Sequence, residues 1–240
     1  MKVPHPFVGQ FFLFILLAVF QNAIFAQSGY PFHGFNHRFD IQKYTLEIDL
    51  YNCYRPPYPK KFTAKETISV RIDTVSDQFQ LNAVNSSVGI ISVGLAAVGF
   101  SHLHDTLTIF LDRVYQKGET FNIQIIYYHK NVDDHAFFAG EGFVFTDCPP
   151  EGARKWFPCL DKPSDKASWD LNAKVPMEVR LGSNGRLADS TIIADTIFYH
   201  WVSDIPVATY LITISSKENY LIQKSYYPRK AIYALSLIHI

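Results

Sequence analysis

The chain has 240 residues, 48% of them hydrophobic and 15% aromatic, which is enough apolar content for one sizeable β-rich core. Its 22 basic and 22 acidic side chains cancel to a formal net charge of +0, so no broad field exists to gather nucleic acid or anionic lipid. Three cysteines, Cys53, Cys148 and Cys159, allow at most one internal disulfide; Cys148 and Cys159 bracket a short loop that fits either a bridge or two free thiols.

In chain order, Met1 and Lys2 lead into an apolar run from Phe11 to Phe20 that is too short to span a bilayer comfortably. Small and apolar residues follow to Ala26, and then Gln27-Ser28-Gly29 turns polar. The expected reading is a signal peptide over 1–26 of bacterial type, with an uncleaved anchor as its rival. Cleavage would give an exported chain, periplasmic or extracellular, with no stable membrane span. His33 and His37 stand one helical turn apart, but Gly34 occupies the place where a zinc peptidase motif needs a glutamate, and Pro31 and Gly34 disfavour a helix. They read as surface histidines.

From Phe39 to Leu50 the pattern becomes that of a half-buried strand, with Tyr44, Leu46, Ile48 and Leu50 alternating with Thr45, Glu47 and Asp49. A proline-rich turn, Pro56-Pro57-Tyr58-Pro59, separates it from a second strand. There Phe62, Ala64, Ile68, Val70 and Ile72 alternate with Lys65, Thr67, Ser69 and Arg71, and only Glu66 breaks the buried row. Further strands are predicted at 89–93, 106–111, 120–128, 169–175, 192–193, 197–202 and 210–214. His102 and His104 have no third metal ligand nearby and read as loop residues. No helical period appears, so the expected fold is all-β, a sandwich or related open architecture, in one domain over 27–234.

The segment 133–166 stands apart, because Gly140-Glu141-Gly142, Pro149-Pro150, Pro158 and Pro163 punctuate it as a long loop or a set of short turns, a kind of segment that tends to carry function. No His-Glu-x-x-His run, Gly-x-Ser-x-Gly elbow or phosphate loop occurs anywhere, so no complete catalytic site and no metal site is expected in this chain.

Within that segment, Ala153-Arg154, Phe157-Pro158-Cys159, Asp161, Pro163 and Lys166-Ala167 form the spaced pattern Ala-Arg-x-x-Phe-Pro-Cys-x-Asp-x-Pro-x-x-Lys-Ala. This resembles the N-terminal domain of the aminopeptidase N and leukotriene hydrolase family of zinc metallopeptidases, the gluzincins. The strand at 39–50 and the run Pro206 to Leu211 resemble the opening and closing strands of that domain. The resemblance implies a sandwich-like or saddle-shaped domain packed on a zinc-bearing catalytic domain that lies outside this chain. It also implies peptide substrates, whose free α-amine is met by an acceptor on the loop before the Ala-Arg pair. That acceptor falls at Pro149, which has no side-chain acceptor; Asp147 and Glu151 become the candidates if the loop is shifted, and ordinary solvated loop acids otherwise. Lys162 departs too, standing where the family commonly has an acid. The motif residues themselves read as scaffold.

The last six residues, 235–240, look like translated sequencing-adapter sequence, and biological sequence is expected to stop near Ala234. The leading expectation is therefore a truncated front domain of an exported zinc aminopeptidase, itself inactive. The rivals are a metal-free homologue acting as a scaffold and a secreted β-sandwich that binds sugar or protein.

Overall fold

The computed structural model describes residues 38–227 and 230–236. The leader over 1–26, His33 and His37, and tail residues 237–240 lie outside the described residues. The described strands run in order β1 (Phe39–Asp49), β2 (Thr63–Ile72), β3 (Ser76–Asn82), β4 (Ser86–Val93), β5 (Ala96–Ala97), β6 (Phe100–Leu103), β7 (Thr106–Tyr115), β8 (Thr120–His129), β9 (Phe137–Gly140), β10 (Phe143–Thr146), β11 (Lys166–Pro176), β12 (Val179–Ser183), β13 (Arg186–Ile193), β14 (Thr196–Ala208), β15 (Ile214–Glu218), β16 (Leu221–Tyr227) and β17 (Lys230–Ser236). Only short 3-10 turns interrupt them. The fold is all-β.

An eight-stranded sheet in the order β13-β14-β11-β1-β2-β8-β4-β5 forms the main layer. Its β1–β11 pair is parallel and its other pairs are antiparallel. A three-stranded sheet β3-β7-β6, a four-stranded sheet β12-β15-β10-β9 and the hairpin β16-β17 complete it. Strand alternation gives the main sheet two unlike faces. Tyr44, Leu46, Ile48, Ile68, Val70, Ile123, Ile125, Trp169, Leu171 and Ala173 are buried. The opposite face carries cross-strand ion pairs such as Lys65 with Glu47 and Lys174 with Asp49. The smaller sheets add Phe79, Leu81, Leu107, Ile109, Val144, Val179, Leu181 and Ile214 to the same core.

Glu66 does not break the buried row; it is in it. Its register partners are Leu46 on β1 and Ile125 on β8, it is fully buried, and neither carboxyl oxygen has a hydrogen-bond partner. Burial alone raises this carboxyl well above its ordinary value.

Three other expectations are corrected. The stretch expected as a strand at 210–214 turns through a 3-10 segment at Thr209–Leu211, and β15 begins only at Ile214. His102 lies in β6, with Nε2 2.7 Å from the Ala83 carbonyl, while His104 sits in the following turn at φ 55°. The loop at 133–166 contains the hairpin β9–β10, whose turn is the Gly140-Glu141-Gly142 run: Glu141 and Gly142 adopt φ 35° and 76°.

Candidate functional site

Strand β10 sets the geometry of the loop that follows it. Val144, Thr146 and Cys148 point inward and are buried, whereas Phe145 and Asp147 are exposed. The Phe145 ring stacks on Phe138 from β9 at 4.5 Å between centroids and 7° between planes, and the Phe143 centroid lies 5.7 Å from Phe145. Phe143 and Phe145 also border a shallow groove with Thr213, Ser215, Lys217 and Tyr220. An aromatic platform therefore precedes Asp147 on the outward face of the strand.

The backbone of the loop is fixed from within. Asp147 N–H donates to the Ala136 carbonyl at 2.9 Å, and Gly152 N–H donates to the Cys148 carbonyl at 2.9 Å. A Cβ on Gly152 would stand 2.9 Å from the Cys148 Cα, so only glycine fits that close approach. Pro149 and Pro150 project into solvent between these two anchors.

Beyond Gly152, a 3-10 turn at Ala153–Lys155 brings Arg154 to the centre of a polar hub. Its Nε and its backbone N–H both donate to Asp161 Oδ2, at 2.9 and 3.2 Å, and an η nitrogen donates to Glu151 at 2.7 Å. Asp105 approaches the other η nitrogen at 3.5 Å. Asp161 is fully buried; its second oxygen accepts the Thr209 hydroxyl at 2.8 Å, and its N–H donates to Asn82. Asn82 and Cys159 exchange backbone bonds at 2.8 and 3.0 Å, which sews the motif onto β3. Trp156 and Phe157 are wholly buried and cluster with Trp169, the closest ring pair at 4.6 Å, and Leu160 N–H donates to the Tyr44 hydroxyl.

The sequence-predicted residues thus separate into two sets. Ala153, Phe157, Pro158, Cys159 and Asp161 are buried in this hub, whereas Pro163 and Lys166 are exposed at its exit. Among the three recognition candidates, Pro149 is exposed, Glu151 is bound to Arg154, and Asp147 is an exposed carboxylate with no side-chain partner among the described residues. Cys148 and Cys159 are both free thiols, as is Cys53. Burial pushes Cys148 up to about 12 and Cys159 well above the usual thiol value, which makes both unreactive.

A residue the motif pattern did not single out is Asp165. It is buried with Oδ2 unpartnered, and burial, reinforced by Asp40 and Asp73 nearby, pushes it up to about 7. Among the described residues no three His, Cys, Asp or Glu side chains converge as a metal would require, and no helix is long and apolar enough to cross a membrane.

The pattern of the peptidase M1 N-terminal domain matches residues 42–211. Among curated proteins, leucine aminopeptidase 2 of Candida glabrata is 32% identical over 91 residues, which is 38% of this chain and 13% of the relative. Leucine aminopeptidase 2 of Saccharomyces cerevisiae is 32% identical over 94 residues, 39% of this chain and again 13% of the relative. Among solved structures, an M1 zinc metallopeptidase from Deinococcus radiodurans superposes with a TM-score of 0.73 at 18% identity, covering 82% of this chain and 46% of that one. A mutant of that enzyme bound to a Tyr-Ser-Ala substrate gives a TM-score of 0.71 at 19% identity, covering 81% and 46%. The matched part is therefore under half of each bacterial structure and about an eighth of the yeast proteins.

Proposed function

The chain belongs to the peptidase M1 N-terminal domain family, and on that premise we propose that it is the front domain of an exported zinc-dependent aminopeptidase. In this reading it holds the N-terminal end of a peptide, while the hydrolytic groups lie on a catalytic domain outside this chain. No ligand set for zinc is present among the described residues, so no chemical step is assigned to this chain and it is expected to be inactive alone.

The observation that carries the reading is the difference between the two acids of the loop. An ammonium taken from water into a closed site needs a charged acceptor. Glu151 would first have to leave Arg154, whereas Asp147 is free to give its charge to a new partner. Its neighbours on the strand, the Phe143 and Phe145 rings, offer apolar surface to the side chain of a terminal residue. The Tyr-Ser-Ala substrate complex of the bacterial relative supports a peptide as the ligand.

The test is made on the product of the uninterrupted gene. Chelator-sensitive release of N-terminal residues is expected. Asp147→Ala should raise KM by about tenfold to a hundredfold, the worth of one hydrogen bond to a charged group, while Glu151→Gln should stay within about threefold. Absence of chelator-sensitive activity would replace the enzyme reading with a scaffold; equal effects of the two substitutions would remove Asp147 from its role.

A further inference from the structure

The last residue of β8, His129, is fully buried among aromatic rings. Its imidazole lies parallel to Phe62, with centroids 5.1 Å apart and planes at 7°, and 5.4 Å from Phe137. Both ring nitrogens are nevertheless engaged. Nδ1 lies 2.5 Å from the Lys60 carbonyl oxygen, and Nε2 lies 3.2 Å from Asp134 Oδ2.

Neither partner has a proton to give. A carbonyl oxygen only accepts. Asp134 already accepts three donors, which favour its charged form: Oδ2 takes Asn85 Nδ2 at 2.7 Å and Oδ1 takes the Ala136 and Phe137 amides at 2.9 and 3.0 Å. Burial pushes Asp134 upward, but the bonds from His129, Phe137, Ala136 and Asn85 outweigh it and hold the group at about 2. Two acceptors facing one ring require two N–H donors on that ring.

We propose that His129 carries a proton on both ring nitrogens in the folded protein, and that His129 and Asp134 form a buried ion-pair clamp on the segment leading into the β9–β10 hairpin. The clamp reaches the candidate site through two backbone bonds. Asp134 holds the Ala136 amide, and the Ala136 carbonyl accepts the Asp147 N–H. The other titratable groups facing the pair leave this charge balance intact. Lys60 turns its ammonium onto Asp133, with His135 beside that carboxylate. Lys155 Nζ donates to the Asp134 backbone carbonyl, and the Cys148 thiol is neutral.

The clamp thus ties the end of β8 to the segment leading into the β9–β10 hairpin through one buried charge pair. It stands on its own geometry and does not depend on the aminopeptidase reading.

The experiment is long-range proton–nitrogen NMR on the full chain with nitrogen-labelled histidine, compared with Asp134→Asn. At about pH 7.5 an exposed imidazole is mostly neutral. The expected wild-type result is that both nitrogens of His129 lie in the protonated range at that pH. In Asp134→Asn the amide NH₂ replaces an acceptor with a donor, so Nε2 should lose its proton. Hydrogen-exchange protection at Ala136, Phe137 and Asp147 should then fall by about tenfold or more, because local opening no longer breaks an ion pair. A wild-type His129 with one unprotonated nitrogen would overturn the charge assignment. Unchanged protection at Asp147 in the variant would overturn the clamp.

Discussion

Replacing Glu66 should stabilise the protein, and more so as pH rises. The side chain sits midway along the inner face of the main sheet between Leu46 and Ile125, with both oxygens buried and unpartnered. A buried polar group without a hydrogen bond costs about 1–3 kcal/mol, and methionine fills a similar volume with no such atoms. Glu66→Met is therefore expected to gain ~2 kcal/mol, which for a chain of this size raises Tm by about 4–8 °C. Because burial raises the folded carboxyl above its ordinary value of 4.5, the folded state keeps a proton that the unfolded chain releases. Wild-type stability is then highest below that pH and declines as pH climbs toward the folded value, while the variant lacks this decline. Urea unfolding followed by the fluorescence of the buried Trp156 and Trp169 gives both quantities. A variant less stable than wild type at every pH, or a gain that does not grow with pH, would show that Glu66 has a partner in the folded protein and refute the reasoning.

Two further substitutions probe the motif and its exit. Asp161→Ala leaves the Arg154 guanidinium and the Thr209 hydroxyl without their shared acceptor, and removing one partner of such a buried pair should cost about 3–5 kcal/mol in the same unfolding assay; a loss under about 1 kcal/mol would mean the hub rearranges. Asp165→Asn should flatten the stability profile between about pH 4 and 7: with the folded carboxyl near 7 against an ordinary 3.8, the wild type loses stability as pH rises through that window, by roughly 3–4 kcal/mol in all. Parallel profiles for wild type and variant would exclude Asp165 as a source of that slope.

Strands with one buried and one solvated face were legible in the sequence. In β1, β2 and β8 the apolar residues recur every second position because one side of each strand meets the core. Strand β13 was seen only at Ile192 and Ile193, because as an edge strand with almost no buried residue it has no face to write an alternation. The β9–β10 hairpin disappeared into a loop because each of its strands has four residues and its turn is glycine punctuation. The run at 210–214 has strand-like composition, but Thr209 is held by Asp161, forty-eight residues earlier in the chain. That constraint is tertiary and invisible to a local pattern.

The site shows the same division. Residues that must fill a particular space, such as Phe157, Pro158 and Cys159, leave a spacing that can be read directly, because packing fixes residue type position by position. What separates Glu151 from Asp147 is commitment, and commitment depends on where Arg154 points. The 3-10 turn sets Arg154 three residues after Glu151 and aims it back at the loop, while Asp161 grips it from the far side. The motif that marks the family is thus absorbed in holding one loop rigid through Asp161, Asn82 and Tyr44. A rigid loop fixes the position of an acid at low entropic cost on binding, so the hub and the plain exposure of Asp147 are two parts of one arrangement: Arg154 engages Glu151 and leaves Asp147 as the one carboxylate among the loop's three recognition candidates without a side-chain partner.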